Sequence, residues 1–218
     1  SFHCRLTKKL LEIKMKNYFG PAKYQLTPFM QDSLSRLAKL LKDNPDMNIV
    51  ICGHASPDGP DNLNMMLSYY RANEAYKCLL ANQVDDSRIF RIYAGENLLS
   101  DTINLRMFSI FTTIESDLPR VNVVYRLAKN ETKEKTLEQF QTNSDEMEFV
   151  KYAVNKHLPV QGSSIILVPV KDIHIVKKGE TLYSMANQYG INLQKLIEAN
   201  NITPETFRIG SIVLIPEK

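Results

Sequence analysis

The chain has 218 residues, 44% of them hydrophobic and 23% charged, which is ordinary for a folded protein and too apolar for a disordered one. Its net charge of +3 comes from 27 Lys and Arg interleaved with 24 Asp and Glu, so no basic stripe stands out and no nucleic acid is expected as a partner. The length fits one domain of about 100 residues plus smaller modules rather than a single core.

Ser1-Phe2-His3-Cys4-Arg5 lacks the apolar core of a signal peptide, and no apolar run approaches the ~18 residues that span a bilayer. The chain is therefore expected to be an excised mature piece, with its exporting or anchoring segment upstream. Residues 1–18 are an N-terminal segment and first strand: Leu10 to Phe19 alternates, and Gly20-Pro21 then breaks the pattern. Thr27 is placed to cap a helix that Pro28 begins. Phe29, Leu34, Leu37, Ala38 and Leu41 recur at helical spacing until Asn44-Pro45 stops it. A strand over Asn48 to Gly53 follows, then a Pro/Gly/Asp turn, a helix over about Asn64 to Ala81, and strands near Arg88 to Tyr93 and Met107 to Ile114. The order is βαβαββ-like.

Beyond it, Val121 to Leu127 reads as another strand, Asn130-Glu131-Thr132 as a helix start, and Gly162 to Pro169 as a returning strand. The last segment, Ile173 to Pro216, reads strand, helix, helix, strand. Thr181 is placed to cap its first helix, Gly190 to end it, and Asn192 to cap the second. The two segments echo each other. Asn130-Glu131-Thr132 matches Gly179-Glu180-Thr181, and Gly162-Ser163-Ser164-Ile165 through Pro169 matches Gly210-Ser211-Ile212 through Pro216. Thr136 to Asn155 spans 19 positions, as does Thr181 to Asn200, whereas the loop from Asn to Gly shrinks from 10 positions to 7.

Two resemblances rest on these residues. Gly53-His54-Ala55-Ser56-Pro57-Asp58-Gly59, then Asn64, Leu67-Ser68, Arg71-Ala72 and the late Asn104-Leu105-Arg106 resemble the signature of the OmpA-like C-terminal domain of Gram-negative envelope proteins. Residues 19–116 would hold that domain. Residues 173–218 resemble a LysM module, through Lys177-Lys178-Gly179-Glu180-Thr181-Leu182, Asn200-Asn201 and the closing Ile212 to Pro216. Residues 121–170 resemble a degenerate LysM copy that has lost its ligand, with a plain βααβ linker domain as the alternative. The fold class implied is α+β: an OmpA-like βαβαβ domain with a mixed sheet and helices on one face, plus two small βααβ modules.

The OmpA resemblance implies a ligand, the diaminopimelate of the peptidoglycan stem peptide, which carries both an ammonium and a carboxylate. An Arg on the helix takes the carboxylate by charge-assisted hydrogen bonds and an Asp in the turn takes the ammonium. Arg71 matches that Arg, but the position of the Asp holds Ser56. Asp58, two residues on, either supplies the missing anion or caps the Pro-Asp-Gly turn. Asn64 keeps the family's amide. Asn104 and Arg106 keep two of the three late positions, and Arg106 equally suits a surface ion pair. The LysM resemblance implies binding of the N-acetylglucosamine chain in a groove walled by Gly179, Glu180, Thr181 and Leu182 on one side and by Asn201, Ile202 and the residues up to Arg208 on the other.

Catalytic readings find little support. His3, His54, His157 and His174 are scattered without metal-ligand spacing, and no Gly-x-Ser-x-Gly elbow or phosphate loop is present, so no metal and no cofactor are expected. Cys4, Cys52 and Cys78 show no Cys-x-x-Cys spacing; Cys52 and Cys78 read as small buried side chains, a disulfide between them staying open. The expectation is a non-catalytic periplasmic protein associated with the outer membrane or wall, tethering an outer-membrane component to peptidoglycan. The alternatives are an interaction scaffold of a secretion or surface-assembly complex, or an accessory piece of a wall hydrolase.

Overall fold

A computed structural model describes residues 11–13, 17–97, 106–114, 119–140 and 165–217. Among the described residues, eight strands and five α-helices follow in order: β1 (Leu11–Ile13), α1 (Pro28–Asp43), β2 (Asn48–Gly53), α2 (Asp61–Ala81), β3 (Ile89–Tyr93), β4 (Phe108–Thr113), β5 (Val121–Arg126), α3 (Lys133–Gln139), β6 (Ile165–Val170), β7 (Asp172–Ile175), α4 (Leu182–Tyr189), α5 (Leu193–Asn200) and β8 (Ile212–Ile215). Six strands form one mixed sheet in the order β1-β4-β2-β3-β5-β6, in which β2 and β5 run parallel to β3 and the remaining pairs are antiparallel. β7 and β8 form a separate antiparallel pair.

Local chemistry sets the element ends. The Thr27 hydroxyl accepts the Met30 N–H, Pro28 occupies the first helical turn, and the Asn44 N–H closes α1 on the Leu41 carbonyl. Its buried stripe is Met30, Leu34, Leu37, Ala38 and Leu41. Phe29 was expected on that stripe but is 54% exposed, because Met30, four residues before Leu34, takes the inward position. β2 is buried along its whole length, as the centre of a sheet requires. Its residues alternate between two cores. Ile49 and Ile51 join α1, α2, Phe108 and Ile110 on one face, while Val50 and Cys52 join Phe90, Ile92 and Phe111 on the other. Among the described helices, α1 and α2 both pack on the first face.

The segment read as a worn repeat joins this sheet. β5 pairs with β3 from Arg91↔Val121 to Tyr93↔Val123, and β6 pairs antiparallel with β5. Its expected second helix and the glycine of its returning strand lie outside the described residues. The echo with the C-terminal module extends to hydrogen bonds, which make Thr132 the counterpart of Thr181; Thr136, from which the 19-position spacing is counted, lies inside α3 and is not the matching cap. Tyr125 bonds Glu131, whose carboxylate accepts the Ala128 N–H, and Thr132 caps α3; six residues apart in the same way, His174 bonds Glu180, which accepts the Lys177 N–H, and Thr181 caps α4. The two modules differ in what their strands do next: β5 extends the large sheet, whereas β7, among the described strands, pairs with β8 alone.

The C-terminal module has its own small core of Val176, Met185, Ala186, Leu196, Val213 and Ile215. Thr181 and Ser184 form a reciprocal capping box, Gly190 ends α4 at φ +65°, and the Asn192 side chain caps α5. Asn200 pins α5 to β8, its amide donating to the Leu214 carbonyl and its oxygen accepting the Leu214 N–H. A single residue, Lys171, separates β6 from β7. Ile173 and Ala199 face outward from the small core into the large one, alongside Val121, Val123, Phe140, Val168 and Val170. No described helix is long and apolar enough to cross a membrane.

Candidate functional site

The first site forms where β2 and β3 end. Gly53 closes β2 against α2 so tightly that a Cβ there would stand 1.9 Å from the Ser68 carbonyl oxygen. That approach lets the chain turn under the start of α2. The His54 N–H bonds the Met107 carbonyl at 2.9 Å, and the Ala55 N–H bonds the Gly95 carbonyl at 2.8 Å. Ser68, the Ser of the Leu-Ser pair, accepts the Gly95 N–H at 2.9 Å and donates to the Met65 carbonyl at 2.7 Å. It is a structural pin. His54 also serves the turn, its Nε2 lying 2.8 Å from Ser109 Oγ.

Arg71 lies beneath the turn and is 1% exposed. Its Nε donates to the Lys23 carbonyl at 3.0 Å and its Nη1 to the His54 carbonyl at 2.8 Å, and the guanidinium sits 5.3 Å from the centre of the Phe19 ring. No described carboxylate pairs with it. Burial, together with nearby Arg106, pushes its pKa down to about 10, so the group remains charged at neutral pH. Five guanidinium N–H groups against two protein carbonyls leave donor capacity for an anion.

Above it, Ser56, Asp58 and Arg106 come together. Ser56 Oγ donates to Asp58 Oδ2 at 2.7 Å, Arg106 Nε donates to Ser56 Oγ at 3.1 Å, and Arg106 Nη2 lies 2.5 Å from Asp58 Oδ2. The Ser56 hydrogen bond, and then Arg106, hold the Asp58 carboxyl below its ordinary range. Asp58 is thus neither a simple turn cap nor an isolated anion: it is the partner of Arg106. Asn64 Nδ2 donates to the Gly59 carbonyl at 3.0 Å and to the Glu96 carboxylate. Asn104 lies outside the described residues. Reading the sequence missed Glu96; its one signal was its place after Gly95, a glycine at φ +55° just past the end of β3.

The second site is the pair of loops at one end of the C-terminal module. The Gly210 N–H bonds the Val176 carbonyl at 2.8 Å, which brings the loop before β8 against the loop after β7. Of the residues expected to line the groove, Glu180, Thr181, Leu182 and Ile202 have structural partners. Glu180 is held by His174 Nε2 and the Lys177 N–H, each at 2.7 Å; Thr181 caps α4; Leu182 and Ile202 pack on the small core. Gly179 at φ +86° and Asn201 at φ +48° present exposed backbone turns. Tyr183 and Ile209, 66% and 68% exposed, adjoin the two loops and were not singled out from the sequence.

Residues 18–104 match the family model described as the OmpA family, and residues 174–216 match the model of the LysM domain. No curated protein matches the chain. Among solved structures, similarity extends to the peptidoglycan-associated lipoprotein from Burkholderia pseudomallei (20% identity, 44% of this chain and 86% of that one, TM-score 0.38). It extends also to the OmpA-like domain of FopA1 from Francisella tularensis (14%, 52% and 85%, TM-score 0.40) and to the periplasmic domain of Helicobacter pylori MotB (16%, 51% and 84%, TM-score 0.40). The chain therefore carries an OmpA-family domain over residues 18–104 and a LysM domain over residues 174–216.

Proposed function

We propose that the chain is a non-catalytic, peptidoglycan-binding protein of the cell envelope that tethers an outer-membrane component to the wall from the periplasmic side. The observation that carries this reading is Arg71, a buried guanidinium with spare donors and no described carboxylate partner, beneath a turn of OmpA type. Such a group is costly to bury and gains most from an incoming carboxylate. In the proposed complex Arg71 takes the carboxylate of diaminopimelate, and Asp58, released in part from Arg106, takes its ammonium beside Ser56. Asn64 supports the turn and Arg106 balances the charge. At the LysM loops, the backbone at Gly179 and Asn201 would meet the N-acetylglucosamine chain, with Glu180, Thr181, Leu182 and Ile202 holding the walls in shape.

One observation favours a second reading, a periplasmic interaction scaffold with little wall affinity. Asp58, the carboxylate beside Ser56, is already engaged by a cation of the protein itself. Cosedimentation with isolated sacculi separates the two. Retention that falls on Arg71→Lys supports the tether; failure of the wild-type chain to sediment overturns it and favours the scaffold.

A further inference from the structure

We propose that the OmpA-type pocket and the LysM groove act as one composite receptor, held at a fixed separation, for a glycan strand that still carries its stem peptides. This rests on the peptidoglycan reading above and goes beyond it: neither domain alone implies any particular relation between the two sites.

The junction is the first argument. A flexible tether between binding modules needs a run of Gly, Ser or charged residues, and here only Lys171 lies between β6 and β7. Lys171 is itself tied down. Its N–H bonds the Ile215 carbonyl at 2.7 Å and its Nζ bonds the Tyr189 carbonyl at 2.6 Å, so β8 and the end of α4 both hold the joint.

The second argument is the shared core. Strands β5 and β6 present Val121, Val123, Val168 and Val170 on the helical side of the sheet, where neither α1 nor α2 is the next element in sequence. Ile173 of β7 and Ala199 of α5, each 2% exposed, are buried in that same cluster, with Ile212 and Leu214 of β8 packed against it. The LysM domain thereby takes the place of a covering helix. Gln139, the last residue of α3, adds a clamp, its Nε2 donating to the Glu198 and Ala199 carbonyls, both at 2.8 Å. Those are carbonyls at the open end of α5, which need partners from outside the helix. The worn repeat is the splint in this arrangement: β5 is spliced into the OmpA sheet through β3, while α3 and β6 grip the LysM domain.

The docking leaves the LysM loops and the Asp58 rim of the pocket exposed. Gly179, Thr181, Tyr183, Asn201 and Ile209 remain exposed on the LysM side, and Asp58 remains exposed on the other. Two weak sites on a rigid body gain by effective concentration only when the ligand presents its groups at the matching distance, and then without the ordering cost of a linker. Glycan and stem peptide, covalently joined, are such a ligand.

The test uses the full chain and three probes measured by calorimetry: chitotetraose, a diaminopimelate-containing tripeptide, and a soluble glycan fragment bearing its stem peptides. Wild type should bind the fragment about 100-fold more tightly than the better of the two small probes. Two undocked variants, Gln139→Ala with Ala199→Glu and a six-residue Gly-Ser insertion after Lys171, should bind each small probe as wild type does. Their affinity for the fragment should fall by about tenfold or more, with a larger radius of gyration in X-ray scattering. Equal affinity of wild type for the fragment and the better small probe overturns the composite receptor, whatever the variants do. Undiminished fragment binding by a variant that scattering shows to be undocked overturns it too, and in both cases the peptidoglycan reading stands. If wild type binds neither small probe nor the fragment, that reading fails and takes the composite receptor with it.

Discussion

Gly53→Ala is the sharpest probe of how the fold builds the pocket. Gly53 does not have a positive φ, so the substitution carries no backbone strain and its effect is wholly steric. The added methyl would stand 1.9 Å from the Ser68 carbonyl oxygen, 2.8 Å from its carbon and 3.0 Å from the Ala72 Cβ, in each case against helix backbone or a residue with no freedom to turn. Restoring a 3.0 Å contact moves α2 away by about 1 Å at that point. The helix cannot yield cheaply, since Ala72, Ala75 and Leu79 are fully buried and Ser68 is bonded to Gly95. Overpacking of this kind costs about 1–3 kcal/mol, and a contact this short against backbone belongs at or above the top of that range. For a chain of this size, about 3 kcal/mol lowers the melting temperature by roughly 6–12 °C. Gly20→Ala is the control, because its Cβ would meet nothing nearer than Lys23 Cγ at 3.5 Å. Thermal melts followed by circular dichroism decide the matter. A Gly53→Ala variant melting within a degree of wild type would refute the close approach of β2 to α2, and with it the account of how the turn is seated.

Ser56→Asp places a second carboxylate beside Arg106; a charge-assisted bond of roughly 1.5–3 kcal/mol predicts binding of a diaminopimelate-containing peptide tighter by about one to two orders of magnitude, and an unchanged calorimetric titration would remove that peptide from consideration. The His174 hydrogen bond, followed by the Lys177 N–H, holds the Glu180 carboxyl below its ordinary range. A carboxyl depressed in the folded state stabilises it fully above the unfolded value of about 4.3, and the contribution is lost as pH falls through the folded value. The LysM domain should therefore lose stability on acidification below about pH 4.3, and Glu180→Gln should flatten that slope; parallel slopes in the two proteins would contradict the assignment. Burial pushes the Cys52 thiol far up, so in the native chain it should resist alkylation at pH 8 and react once unfolded. Peptide mapping by mass spectrometry checks this, and equal labelling in both states would show that β2 is not the buried centre of the sheet. Thr181→Ala, which removes the capping box of α4, should cost the LysM domain about 1 kcal/mol in urea unfolding; a loss near zero would mean that the box contributes nothing to the groove wall.

Local signals carried most of the elements and few of the partnerships. Thr27-Pro28, Asn44-Pro45, Thr181, Gly190 and Asn192 mark helix ends through short-range chemistry, and each acts where the residue types placed it. The run Asn48 to Gly53 reads as a buried strand because it is one throughout. The pairing of β5 with β3 left no local trace: Val121 looks the same whether it meets Arg91 or a strand of its own module. Ala199 is similar, three residues from Leu196 and on a neighbouring face of α5, yet Leu196 enters the small core and Ala199 the large one. At the first site, spacing located Ser56, Asp58, Asn64 and Arg71 on one turn and one helix. It could not tell that Arg106, 48 residues from Asp58, closes on it, nor that Lys23 and His54 supply the carbonyls that bury Arg71. Glu96 escaped because its role comes from Asn64, 32 residues earlier, and not from its neighbours.

The way the LysM domain completes the larger core also sets a timetable for folding. While the chain is being made, the row Val121, Val123, Val168 and Val170 stays without its cover until synthesis has run past Ala199. A nascent or truncated chain ending near residue 170 therefore offers an open apolar sheet face at the moment when it is most exposed to other copies. Consolidation of this face waits for α4 and α5, so a stop codon between residues 170 and 199, far in sequence from Arg71, would produce aggregation rather than a smaller working protein.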